Sequence, residues 1–428
     1  MRELITVTVG AVGADFPGFS NKEIQAAINY VASLGGGEVL LSAGTYALAD
    51  SVHMKSGVTL RGVGRDTVLL KDEMVGSETL EYYGFGHCEI EVAHPERFRV
   101  GMGVYVTDGG AASGGFLATQ STVVSISGTV LGLADPLCCD VGGPRGGKCR
   151  TLFPLVKGAF EKNFSVRDLV LDGNREKNES IDGCRGGCIF LIGCSYVEMT
   201  GLECRNYAND GISYQQCYDV LTENCELHHN SCNGMHPGSG TILSTIRNCH
   251  VHHNDADGVF YCLRTQYLTL ENCLIEDNHR FGITVGHHDH YTDIIGNTIR
   301  NNGWEGLFFR NDLVPYGSGS YSTVAHNRFE NNGYTDDEKR VCEIHFTSAV
   351  KGLRVYDNTV ENAGKIALLI DEPTAETFIY DNNFTPTLKD AAAKPEDWYS
   401  AERPAKERFI TDFPITEDTL AHLRHICR

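Results

Sequence analysis

Basic residues are scarce in this chain. Lys and Arg number 36 against 56 Asp and Glu, a formal net charge of −20. So acidic a chain argues against nucleic acid or a membrane surface as partner, since both are polyanions. It also weighs against a strongly anionic polymer substrate unless a metal or a local basic patch intervenes. No apolar run approaches the ~20 residues of a membrane-spanning helix. The opening Met1-Arg2-Glu3-Leu4-Ile5 has no signal-peptide apolar region. No C-x-x-C pairs with another at zinc spacing. These absences lead us to expect a cytoplasmic protein that needs no metal and no other cofactor.

What is present is repetition. With 428 residues the chain exceeds one ordinary compact core. A solenoid escapes that limit because each repeat packs only on its neighbours. The segments Asn224-Cys225-Glu226-Leu227-His228-His229-Asn230, Asn248-Cys249-His250-Val251-His252-His253-Asn254, Asn272-Cys273-Leu274-Ile275-Glu276-Asp277-Asn278 and Gly296-Asn297-Thr298-Ile299-Arg300-Asn301-Asn302 are copies of one pattern. Their second positions, Cys225, Cys249, Cys273 and Asn297, are 24 residues apart. The column runs back to Cys204 and on to Asn327, Asn358 and Asn382. A second column, five residues later, reads Asn209, Asn230, Asn254, Asn278, Asn302 and Asn332. Identical turns stacked at about 4.8 Å bring equal side chains together. Buried Asn amides then bond into a ladder, and small apolar Cys takes the same inward slot. The fold expected is all-β, a right-handed single-stranded parallel β-helix.

Each repeat continues into a short strand opened by Gly: Gly211-Ile212, Gly234-Met235, Gly258-Val259, Gly282-Ile283 and Gly306-Leu307. We expect that Gly to supply a turn conformation. Residues 20–34 read as an amphipathic helix with Ile24, Ala27, Ile28 and Val31 on one face, capped by Ser20 or Asn21 and ended by Gly35-Gly36-Gly37. Such a helix suits the open end of a solenoid. The first strand is expected at Glu38-Val39-Leu40-Leu41. Four regions follow: a cap with the first rungs over 1–77, an inserted β-module over 78–160, the central β-helix over 161–385, and a tail over 386–428 with a helix from Glu417 to Ile426.

Gly10-Ala11-Val12-Gly13-Ala14-Asp15, the helix around Ile24, and Gly35 through Tyr46 resemble the N-terminal cap of the pectate-lyase-like superfamily. Leu169-Val170-Leu171-Asp172-Gly173-Asn174 is similar to its first central rungs. The layout over roughly 1–75 and 160–385 resembles the catalytic module of mannuronan C5-epimerases. Their Tyr-Gly-Phe-Asp-Pro-His segment does not recur, because its Asp slot holds Ser213 and its His slot Gln215. The position of their catalytic Lys holds Ser180 or Ile181. Polygalacturonase-like hydrolases keep acids just before the strand Gly. Here that slot reads Asp210, Asn233, Asp257, Phe281 and Glu305.

Two residues after the Gly, the outward column reads Ser213, His236, Phe260, Thr284 and Phe308. Beyond it lie Arg264, His288 and Asp312, with His287 and Asn311 beside them. Insertions at Val314–Tyr321 and Gly333–Arg340 flank this patch. Asp257, Asp210, Glu305 and His236 are the candidate catalytic groups. Arg264, His287, His288, Phe260, Phe308, Arg310 and Asp312 are the candidate substrate contacts. An Asp before a Gly is also an ordinary turn residue, and outward aromatics also fit under a loop or at an oligomer contact. Asp257 lies two rungs from Asp210 and two from Glu305, roughly 9.6 Å along the axis. That compares with the 6.5–9.5 Å between the carboxyls of an inverting glycosidase. The expected function is therefore carboxylate acid–base chemistry on a glycosidic bond of an oligosaccharide or polysaccharide. A polysaccharide lyase or uronate epimerase is the enzymatic alternative. A non-catalytic glycan-binding or tailspike-like protein is the alternative of another class.

Cysteine used as a small inward residue needs no partner sulfur. Thiol titration under denaturing, non-reducing conditions should therefore count nearly all 16 cysteines. A count near zero would mean an oxidised, exported protein.

Overall fold

The computed structural model describes residues 5–108, 118–181, 185–334, 342–361, 366–385 and 399–404. The expected C-terminal helix at 417–426 and most of the insertion at 333–340 lie outside these residues. The chain forms two compact units. The first comprises Met1–Ile192, Met199–Tyr214 and Glu226–Asn233. The second comprises Gly193–Glu198, Gln215–Cys225 and Gly234–Arg428. Both units are built from rungs of three short parallel strands, the architecture of a right-handed parallel β-helix.

In the first unit the helix is Asn21–Ser33. Ser20 caps it and Glu23 closes a capping box, which satisfies donors that the first turn leaves open. Ile24, Ala27, Ile28 and Val31 are buried on one face. Two strands precede those expected: Ile5–Gly10 pairs in parallel with Gly37–Leu41 and with the short Phe16–Pro17. The alternation of Val7 and Val9 into the core makes the first a strand, and its six residues are too brief for periodicity alone to separate from loop. Three stacks of rungs follow. Gly37–Leu41 pairs with Val58–Arg61, which pairs with Lys162–Arg167. Gly44–Leu48 pairs with Thr67–Lys71, and the stack continues through Val170–Asp172, Glu203–Arg205 and Glu226–His228. Val52–His53 pairs with Val156–Ala159 and that with Ile189–Ile192. Between the early and later rungs the strands turn antiparallel, from Gly76–Glu78 to Lys148–Arg150. They enclose a separate core that includes Val104, Val106, Val123, Leu131 and Cys149.

The second unit carries the regular rungs. Its first sheet runs from Tyr218–Glu223 to Phe378–Tyr380 and its second from His250–His252 to Asn383–Thr385. Its third contains Met235–Gly238, Val259–Phe260, Ile283–Val285, Leu307–Phe309, Cys342–Phe346 and Ile366–Ile370. Residues 24 apart are in register, as with Ile275 and Ile299. Val251, Ile275, Ile299, Phe329 and Val360 stack as fully buried side chains, each contributing about 1.5–3 kcal/mol of apolar burial.

Two polar ladders fix that register. In one, the Cys249 amide donates to Cys273 Sγ at 3.4 Å and the Cys273 amide to Asn297 Oδ1 at 2.9 Å. Side-chain amides then link Asn297 to Asn327, Asn327 to Asn358 and Asn358 to Asn382 at 2.9–3.0 Å. Cys225, Cys249 and Cys273 are buried, and the fourteen cysteines among the described residues are free thiols. In the other, Asn254, Asn278, Asn302 and Asn332 are linked at 2.8–2.9 Å. This ladder ends on Glu343, whose Oε2 accepts from Asn332 Nδ2 at 2.6 Å.

The strand glycines require a correction. Gly258, Gly282 and Gly306 are not in the left-handed region. A Cβ on Gly258 would instead lie 2.6 Å from the Gly282 carbonyl oxygen and 2.5 Å from Ile275 Cγ2. These glycines permit close approach of the next rung. Left-handed turns fall on Asn224, Asn248 and Asn272, with φ near 54°, a conformation Asn tolerates.

Asn302→Ala would strip Asn278 of its acceptor while leaving it buried. The loss should be at least about 1–3 kcal/mol, read as a lower urea midpoint against a surface control such as Asn301→Ala.

Candidate functional site

The third sheet of the second unit presents one outward row. Register places Phe260, Thr284, Phe308, His345 and Leu369 side by side on successive rungs. Their neighbours Val259, Ile283, Leu307 and Ile344 point into the core, as alternation requires. His236 precedes Phe260 in the row, with ring centroids 5.1 Å apart and edge-on. The row agrees with the sequence alignment as far as Phe308. His345 was missed because 37 residues, not 24, separate it from Phe308. The signal available was Ile344-His345-Phe346, which repeats the in–out–in pattern of Leu307-Phe308-Phe309.

Asp257 is only 1% exposed. Its Oδ2 accepts from Thr284 Oγ1 at 2.7 Å, and its Oδ1 faces Arg280 Nε at 3.5 Å. Burial raises its pKa above the usual carboxylate range, against the pull of Arg280 and the Thr284 hydroxyl. Arg280 was not anticipated. It occupies the turn one rung on, with its guanidinium 4.5 Å from the Trp304 ring. Arg264 lies exposed in the turn after Val259–Phe260, with φ at 56°. The cation over the row is Arg310, 4.5 Å above Phe260. Arg310 also donates to the Tyr261 and Cys262 carbonyls at 2.7 and 2.5 Å.

The remaining candidates separate into small groups. Asp210, in the first unit, accepts from the Asn233 backbone at 2.9 Å and its side chain at 3.0 Å, which is the work of a buried turn residue. Glu305 is fully buried and faces His345 Nδ1 at 3.2 Å. His345 Nε2 faces Asp371 Oδ2 at 2.9 Å. Asp257 and Glu305 lie two rungs apart in one column. The rung between them holds Phe281, stacked on Phe308 at 4.2 Å and edge-on to Trp304 at 4.9 Å. His287 and Asp312 pair at 3.4 Å, and the His288 amide donates to Gly317 O in the 314–321 insertion at 2.5 Å. A cavity of about 270 Å³ lies elsewhere, in the first unit, lined by residues that include Asp72, Arg99, Thr151 and Phe153.

Asp289, between His288 and His290, is fully buried. It accepts from the Thr265 amide and hydroxyl and from the Gly286 amide, at 2.8–2.9 Å. Arg310 lies 3.6 Å away. Burial pushes its pKa up to about 7, outweighing those stabilising contacts.

Residues 162–372, just under half the chain, match the family model described as periplasmic copper-binding protein (NosD). Solved structures agree on architecture. The A-module of the Azotobacter vinelandii mannuronan C-5 epimerase AlgE4 superposes with a TM-score of 0.50 at 15% identity, covering 92% of this chain and all of that one. The chain has the fold of a right-handed parallel β-helix. A glycoside hydrolase gives a TM-score of 0.56 at 10% identity, covering 93% of this β-helix protein and 99% of that chain. The Streptococcus pneumoniae surface adhesin PfbA gives 0.50 at 13% identity, covering 93% and 92%. No curated protein matches this β-helix protein in sequence. Identities this low carry the fold and leave the chemistry to the site itself.

A folded-state pKa raised to about 7 means that Asp289 favours folding fully when protonated and loses that contribution as pH rises through 7. Asp289→Asn cannot ionise. Wild type should lose up to about 1.4 kcal/mol per pH unit relative to this variant between the two carboxyl pKa values. Denaturant midpoints of both proteins from pH 4 to 8 measure it, and parallel profiles would refute it.

Proposed function

We propose that this protein is a carbohydrate-active enzyme that cleaves or rearranges glycosidic bonds, with Asp257 as its acid–base group. One observation carries the reading: the Thr284 hydroxyl, bonded to Asp257 at 2.7 Å, sits in register between Phe260 and Phe308. Half-buried aromatic rings in a row supply flat apolar faces of the kind that sugar rings stack on. A raised pKa suits a carboxyl that exchanges a proton with a glycosidic oxygen. Thr284 is the group through which Asp257 reaches the row. His236 extends the row before Phe260 and offers a polar contact to hydroxyls, while His287, His288 and Asp312 lie along its flank. The fold is shared with an epimerase and a glycoside hydrolase, which supports carbohydrate as the substrate class.

A uronate lyase or C5-epimerase is favoured by a different observation. Arg310 over Phe260 and Arg280 beside Asp257 put two cations at the row. A sugar carboxylate there would be neutralised, as abstraction of the C5 proton requires. Copper, named in the description of the matched family, suits sulfur and imidazole donors. In this unit Cys342 and His345 come together with Glu305. For location we keep the cytoplasmic reading, which rests on the free ladder thiols; cell fractionation tests it.

Product analysis on a panel of neutral and acidic polysaccharides separates these readings. A hydrolase yields new reducing ends, a lyase yields an unsaturated sugar that absorbs in the ultraviolet, and a binder yields neither. Asp257→Asn should lower turnover on the order of 10²–10⁴-fold with the circular dichroism spectrum unchanged. Full turnover in that variant would remove Asp257 from the chemistry.

A further inference from the structure

Beside the row, three side chains of different chemistry converge in the second unit. Glu305, Cys342 and His345 are all buried, and one donor atom from each lies within 4.8 Å of the others. Register explains the meeting. Leu307 pairs with Ile344, so Cys342 stacks one rung beyond Glu305, in the slot that holds Asp257 and Phe281 on earlier rungs. Cys342 is therefore not a member of the cysteine–asparagine ladder, and the packing explanation that accounts for Cys225, Cys249 and Cys273 does not extend to it.

We propose that Glu305, Cys342 and His345 bind one transition-metal ion of the zinc or copper class. The donor set argues for the class: thiolate sulfur and imidazole nitrogen select borderline and soft ions over magnesium or calcium. The orientation of His345 is a separate observation. Nδ1 faces Glu305 at 3.2 Å while Nε2 faces Asp371 at 2.9 Å. One ring nitrogen turned to the donor cluster, with the other held by a carboxylate outside it, is the arrangement that orients metal-bound histidines. Tetrahedral bonds of about 2.0–2.3 Å set donors roughly 3.3–3.8 Å apart, so closure needs side-chain movements of about an ångström. Three protein donors leave a fourth position for water or another ligand. Binding displaces the Cys342 thiol proton, so affinity should rise with pH. The inference is independent of the glycosidic reading, since Asp257 and Thr284 are not ligands.

The test uses the full chain, stripped with a chelator and kept reduced. Zn²⁺, Cu⁺, Co²⁺ and Mg²⁺ are titrated separately by calorimetry, and the Co²⁺ form is examined for a thiolate-to-metal charge-transfer band. One equivalent of Zn²⁺ or Cu⁺ should bind, the tighter of the two naming the ion, and Mg²⁺ should not bind. The Co²⁺ band should appear in wild type and disappear in Cys342→Ser. Asp371→Asn should keep the band and weaken affinity about 10–100-fold. Circular dichroism of each apo variant controls for folding. If Cys342→Ser fails to fold, His345→Gln serves in its place, with the same loss expected. A band and stoichiometry that survive both substitutions would place the ion on other cysteines and overturn the proposal, as would no binding in wild type. Neither outcome touches the Asp257 reading, which is measured by sugar turnover.

Discussion

Everything in this molecule depends on each rung repeating the one before it at the spacing of a parallel sheet. Backbone hydrogen bonds alone would allow a strand to slip by two residues and still pair. The buried amides forbid that. Asn302 lies between Asn278 and Asn332 at 2.9 and 2.8 Å and donates to the Ile275 carbonyl at 3.1 Å. A slipped rung would leave such a group buried without a partner, at about 1–3 kcal/mol each. The glycines at the start of the third strand impose the same register sterically, because a side chain there would collide with the neighbouring rung.

Register at the ladders becomes register at the surface. The outward row from Phe260 to His345 is straight because inward neighbours such as Ile283 and Leu307 stack without offset. Chemistry is then written one rung at a time. Asp257, Phe281, Glu305 and Cys342 occupy equivalent positions, and each substitution along that column changes the local partner. Asp257 meets Arg280 and Thr284, Phe281 meets Phe308, and Glu305 meets His345. Neighbouring rungs can therefore hold an acid, an apolar contact and a mixed-donor cluster without disturbing one another's backbone.

Burial sets the character of those groups. Asp257 and Asp289 lie where water does not reach, and their pKa values rise because the charged form loses hydration. Glu343 is buried by a different route, as the terminal acceptor of an asparagine ladder. It replaces the next Asn where an insertion interrupts the spacing. Its carboxylate is thus accounted for by the fold.

The 24-residue spacing determined the fold class, the inward cysteines and asparagines, and the outward row as far as Phe308. Periodicity is local information, and identical rungs leave only one way to stack. The cap helix was equally legible, since Ser20, Glu23 and the Ile24–Val31 face all lie within one short segment. The strand Ile5–Gly10 was not, because its alternation becomes meaningful only when Gly37–Leu41 lies beside it. The site was legible in position and illegible in partnership. Asp257 and Glu305 read from the sequence as an acid pair, but the width of Phe281 between them is a packing fact. His345 and Cys342 reach Glu305 across two insertions, which repeat counting cannot bridge, and Asp371 reaches His345 in turn. Sequence alone determined which residues share a column; tertiary structure decided which of them touch, because contact depends on side-chain reach between rungs and on what fills the gap.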